Sequence, residues 1–263
     1  MPSALELGGV RRLTIGKTSP MRVLLSFIAG ATCALLLACA PRTGTGSPSA
    51  AADPLAPDTG RVAVEGGTLY YEVRGSGPPV VLLHAGDLDL SMWDPQVSPL
   101  ARSFRLIRYD ARGHGRSSAP RGPYSTVEDL RRLLDHLGIP RASLVGISMG
   151  AGVTLNFATT YPQRVRQLVL VSTSGPPPGV PIPPGAPPPL THEVGRVRLR
   201  GLSMPRMLIV GEGDSPDHLA VADRVEAEVP EVRVVRIAGG RHLVNQDAPE
   251  AFNAVLLSFL REQ

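Results

Sequence analysis

The 263-residue chain predicts an α/β fold: a mostly parallel central sheet with helices on both faces. Three observations carry this. Strand-like and helix-like segments alternate along most of the chain, and such alternation demands parallel strands joined by crossover helices. Val80–Leu83 is a continuous apolar run, the mark of a strand buried on both faces. Residues 126–137 instead carry apolar side chains at 127, 130, 133, 134 and 137, one stripe of a helix.

In order, Val62–Val64 and Leu69–Val73 flank Glu65-Gly66-Gly67 and predict a β-hairpin. After the strand Val80–Leu83 come a helix over Met92–Ala101 and a strand over Arg105–Tyr109. The striped helix Thr126–Leu137 is stopped by Gly138, with Pro140 behind it. Next are a strand Ser143–Ile147, a helix Met149–Thr160 closed by Tyr161-Pro162, and a strand Gln167–Val171. Past a proline-rich stretch follow a strand Met207–Val210, a helix His218–Glu228, a strand Val232–Ile237 and a helix Glu250–Leu260. In sheets of this kind the chemistry sits at the carboxyl ends of the strands.

Composition sets outer bounds. With 43% apolar and 19% charged residues, the chain can bury a core. Of the formal charge of +4, residues 1–39 supply +3, from Arg11, Arg12, Lys17 and Arg22 against Glu6. The remaining +1 leaves no basic stripe interleaved with aromatics, so nucleic acid is not an expected partner. Both cysteines, Cys33 and Cys39, lie near the N-terminus, which excludes a disulfide framework and any Cys/His zinc spacing.

Residues 1–39 read as an export leader. Arg22 precedes an apolar run from Val23 to Ala40 that contains Leu36-Leu37-Ala38-Cys39. That ending resembles the lipobox of bacterial lipoproteins, which makes Cys39 the expected lipidation site; Leu37 is larger than the residue usual there. An uncleaved anchor helix is the alternative, and Met21 is a second candidate start. Residues 40–60 hold almost no bulky apolar group and read as a flexible tether. The domain proper is then 61–263, and the only membrane association expected is through the leader.

The strongest chemical signal is Gly146-Ile147-Ser148-Met149-Gly150, between a buried strand and a helix. A serine hydroxyl is a poor nucleophile and must protrude where a base reaches it; a sharp strand-to-helix turn does this, and flanking glycines make room. Met149 opens the helix, so its free N–H can face a developing oxyanion. An acid and a histidine should follow in that order. Of the downstream histidines, His242 lies just beyond a strand end, in Ala238-Gly239-Gly240-Arg241-His242, whereas His218 and His192 read as solvated. Asp214, after the strand Met207–Val210, is the preferred acid, with Glu212 and Asp217 in reserve.

Together these segments resemble the α/β-hydrolase superfamily. The resemblance rests on His84-Ala85-Gly86 with Trp93, the turn Tyr109–Ser117 (YDARGHGRS), the elbow, Val210–Asp214 (VGEGD), and His242 with Pro249-Glu250. It is nearest to the small serine esterases, enol-lactonases and cofactor-free perhydrolases. It implies the α/β-hydrolase fold, a catalytic Ser148, Asp214 and His242, and an oxyanion pair from the N–H groups of Gly86 and Met149. His84 and His114 are implied to be structural, and no metal or organic cofactor is implied. The expected substrate is a small-molecule carboxylic ester or lactone, cleaved through an acyl-enzyme. Perhydrolysis, C–C hydrolysis and peptide hydrolysis remain alternatives within the enzymes, and a decayed, non-catalytic binding protein is the alternative outside them.

The sequence departs from the family in its cap. Residues 175–190 contain nine prolines and three glycines, which cannot hold the usual helices, so the segment 175–202 reads as a reduced, proline-rich cap.

Overall fold

A computed structural model describes residues 56–173 and 199–262. The leader with Cys39, the tether up to residue 55 and the cap up to residue 198 lie outside the described residues. Among the described residues, no helix is long and apolar enough to cross a membrane.

Eight strands form one sheet. β1 (Asp58–Val64) and β2 (Gly67–Arg74) are the expected hairpin, paired from Asp58↔Val73 to Val64↔Gly67. Gly66, at φ +69°, makes the tight reversal with no Cβ to clash. β1 therefore begins at Asp58, inside the stretch read as tether. β3 (Pro79–Leu83), β4 (Arg105–Tyr109), β5 (Ala142–Ile147), β6 (Val165–Val171), β7 (Arg206–Gly211) and β8 (Val232–Ile237) follow. Their order across the sheet is β1-β2-β4-β3-β5-β6-β7-β8, antiparallel at β1/β2 and β2/β4 and parallel elsewhere.

Alternation along the strands divides the interior into two cores. Val81, Leu83, Leu144, Leu168 and Leu208 face one way, against α2 (Thr126–His136), α3 (Met149–Thr160) and α4 (Pro216–Glu228). Val80, Leu82, Val145, Val169 and Met207 face the other, against α1 (Asp94–Ala101) and the C-terminal α6 (Pro249–Arg261). A helix at Met92 was expected; instead Leu90–Trp93 is a 3₁₀ turn held by the Asp89 side chain, and α1 starts after it. Trp93 is fully buried against Phe252 and belongs to the core.

The chain winds from β3 out to β4, then returns past β3 to β5. This reversal of strand order opens a crevice at the carboxyl ends of β3 and β5, where ligands of open parallel sheets bind.

Candidate active site

Ser148 occupies the turn between β5 and α3 with φ +52° and ψ −112°, a conformation that a non-glycine residue adopts only under constraint. Its N–H donates to the Val171 carbonyl at 2.9 Å, which pins the turn to β6. A Cβ on Gly146 would stand 2.2 Å from the Gly150 carbonyl oxygen, and one on Gly150 2.4 Å from the Leu83 oxygen. Only glycine fits at either place. The turn is thereby pressed against β3, and Ser148 is left half-buried.

Gly86 follows β3 across the crevice. A Cβ built on it would lie 3.9 Å from the Met149 Cβ, so these two backbones face each other. Among the described residues neither N–H has a hydrogen-bond partner. At Met149 this follows from its place in the first turn of a helix.

His84 is committed elsewhere. It accepts the Ala111 N–H at Nε2 (2.9 Å), so its proton is on Nδ1, which donates to the Ala85 carbonyl at 2.7 Å. Burial pushes its imidazole below the ordinary histidine range, keeping the ring neutral. The His114 ring lies tilted beside it, centroids 5.0 Å apart, and its Nδ1 donates to the Arg112 carbonyl. Both tie the β3 loop to the turn after β4. Asp110 organises that turn by accepting the N–H groups of Leu90 (2.8 Å) and Arg116 (2.7 Å). His114, Asp87, Asp89, Met92 and Gln246 help line a cleft of about 440 Å³ beside Gly86.

Asp214 and His242 come from the loops after β7 and β8. Those loops lie against each other because Gly211 and Gly240 carry no side chain: a Cβ on Gly211 would meet the Gly240 oxygen at 2.3 Å. The Gly213 N–H donates to the same oxygen at 2.9 Å. His242 Nδ1 then lies 3.3 Å from Asp214 Oδ1. Beyond His242, the short helix α5 (Val244–Asp247) is anchored by Asn245, fully buried, whose amide donates to Met92 and Gln96. Arg241 points outward and pairs with Asp247. Glu212 and Asp217, the reserve acids, are exposed.

His218 corrects its expected role. It is not solvated: it sits in the first turn of α4, 14% exposed, with Nδ1 3.2 Å from the same Asp214 Oδ1 and 2.6 Å from Ser215 Oγ. The helix start carries residue i+4 back over Asp214, a D-x-x-x-H spacing that could have drawn attention to it. Burial pushes the Asp214 carboxyl up, but bonds from His218, His242 and the Ser215 N–H outweigh it and hold the group well below the ordinary aspartate range. Asp214 is thus an ionised, buried carboxylate. Its Oδ2 and the Ser172 hydroxyl are buried too, and neither has a hydrogen-bond partner of good geometry among the described residues. No hydrogen bond joins Ser148 Oγ to His242 among the described residues.

A family model described as the α/β hydrolase fold matches residues 78–197. The chain is 38% identical over 111 residues to 3-oxoadipate enol-lactonase 2 of Acinetobacter baylyi, covering 40% of this chain and 42% of that one. It is 38% identical over 115 residues to a Mycobacterium tuberculosis protein, covering 43% of this chain and 34% of that one. The chain therefore spans well under half the length of either relative. Among solved structures it is similar to the enol-lactonase of Burkholderia xenovorans LB400, with 26% identity and a TM-score of 0.66 over 77% of this chain and all of that one.

Proposed function

Since the chain has the α/β-hydrolase fold, we propose that it is a serine hydrolase cleaving carboxylic esters or lactones through an acyl-enzyme. The observation that carries this is a strained, half-buried Ser148 at the crevice, with an ionised carboxylate–imidazole pair on the loops of β7 and β8 in the same row of strand ends. In this reading Ser148 Oγ attacks the acyl carbon as His242 Nε2 takes its proton. The oxyanion accepts the N–H groups of Gly86 and Met149. His242 returns the proton to the leaving alkoxide, and water then repeats the sequence on the acyl-enzyme. Asp214 keeps the His242 proton on Nδ1, leaving Nε2 free to accept. No cofactor takes part. The likeness to enol-lactonases supports a small ester or lactone as substrate.

The missing Ser148–His242 bond favours the decayed, non-catalytic reading. Catalytic hydrogen bonds, however, are often loose without substrate and tighten on binding. Labelling by a fluorophosphonate probe decides between the two. Stoichiometric labelling of the chain, absent in Ser148→Ala and accompanied by p-nitrophenyl acetate hydrolysis, is the expected result. No labelling of folded protein would move the assignment to a binding role. The leader extends the proposal to place: export, with the domain tethered to the membrane through lipid on Cys39.

A further inference from the structure

The pair of histidines on Asp214 exceeds what a proton relay needs. One imidazole suffices to shuttle a proton, yet His218 and His242 both direct Nδ1 at the single oxygen Oδ1, at 3.2 and 3.3 Å, with ring centres 4.6 Å apart. One donor atom from each of the three residues lies within 4.8 Å of the other two. Bonds of about 2.0–2.1 Å in tetrahedral array set neighbouring ligands about 3.3 Å apart, which is the spacing of both nitrogens from Oδ1. We propose that Asp214, His218 and His242 form a binding site for a divalent cation of the zinc type, whose occupancy switches the hydrolase off.

The donor set selects the ion. Two imidazole nitrogens and one carboxylate oxygen suit zinc and its transition-metal neighbours, whereas magnesium and calcium prefer oxygen alone. Three protein ligands leave a fourth position for water. Asp214 is only 1% exposed in its side chain, so its Oδ1 is held in place between the two imidazoles. His242, 40% exposed, keeps the site open to solvent.

The switch follows from the two ring nitrogens of His242. In the relay Nδ1 carries the proton and Nε2 accepts from Ser148. A cation bound at Nδ1 requires that nitrogen's lone pair, so the proton moves through solvent to Nε2 and the neutral ring neither gains nor loses one. An Nε2–H donates and cannot accept, and Ser148 loses its base. Binding stands on the cluster alone; inhibition rests on the serine-hydrolase reading.

Calorimetric titration of the chelator-treated full chain with zinc, with cobalt absorption as a spectroscopic check of the ligand set, tests the site. Wild type and Ser148→Ala should bind one zinc at this cluster with equal affinity. His218→Phe, and His218→Asn should the bulkier variant fail to fold, should bind it about tenfold or more weakly. Saturating zinc should block fluorophosphonate labelling of the wild type, and EDTA should restore it. Zinc affinity unchanged by either His218 substitution, as binding by Cys33 and Cys39 would give, overturns the site. Zinc bound in a His218-dependent way without loss of labelling overturns the switch. If Ser148 is never labelled, even without zinc, the hydrolase reading fails while the titration still decides the site.

Discussion

At the scale of single residues, Asp214 concentrates the energetics. A buried carboxylate is tolerable only when its charge is met, and here three donors converge on Oδ1: His218, His242 and the Ser215 N–H. Asp214→Asn should leave the loops in place but allow the His242 proton to sit on Nε2. If the proposed function holds, a loss of about 10⁴-fold in kcat is expected, by analogy with the same change in established serine triads, measured on a p-nitrophenyl ester. The variant also has a pH signature. Because the native carboxyl titrates below its ordinary value of 3.8, the native state binds fewer protons than the unfolded one. Its stabilisation is therefore complete above about pH 4 and is lost as pH falls through the lower native value. Denaturant unfolding should show wild type more stable than Asp214→Asn at pH 7, with the gap closing as pH drops below about 4. A gap independent of pH would show that Asp214 acts by shape and not by charge.

At the scale of elements, the turn after β4 is joined to α2 by one buried ion pair. Arg112 forks onto Asp129 with contacts of 2.7 and 2.5 Å, both side chains almost wholly buried, and the guanidinium lies over the Tyr124 ring. Burial nonetheless pushes the Asp129 carboxyl up despite Arg112, so desolvation outweighs attraction. Removing one partner should then cost far more than removing both. Arg112→Ala is expected to destabilise by about 3–5 kcal/mol, while Arg112→Met with Asp129→Leu should fall near wild type. Urea unfolding midpoints check this, and equal losses in the single and double variants would contradict it. The elements themselves were largely legible. The predicted α2 ends one residue from the observed end, and β8 coincides, because stripes, alternation and stop residues act within a turn or two of chain. α5 was not legible: four residues carry no periodicity, and Val244–Asp247 is helical because Asn245 and Gln246 reach across to Met92.

At the scale of the whole molecule, one sheet with two cores brings distant segments into a single row of strand ends. Ser148, Asp214 and His242 are 28 to 94 residues apart, yet β5, β6, β7 and β8 lie side by side. The sheet's β8 edge is guarded by charge: Arg233 pairs with Glu262 and Arg236 with Asp223 and Glu226, which discourages pairing with another strand. The proposed export and lipidation of residues 1–39 belong to this scale and are open to test. Cys39→Ser should abolish incorporation of a labelled fatty acid and release the protein from the membrane fraction of a bacterial host. Retention with no lipid would instead indicate the uncleaved anchor helix.

By itself, the sequence determined the eight strands and the longer helices, and that Ser148 stands on a glycine-flanked strand-to-helix turn. It singled out Asp214 and His242 by their position after strands. These are local properties, written in spacings of two to four residues and in the steric demands of glycine and proline. Only the tertiary structure decided that β3 lies between β4 and β5 and that a second histidine shares Asp214. Such contacts join residues through strand order and loop packing, and no local pattern encodes an order across the sheet. His218 shows the limit most plainly: its spacing from Asp214 was visible, but its burial depends on how the first turn of α4 folds back over the carboxylate.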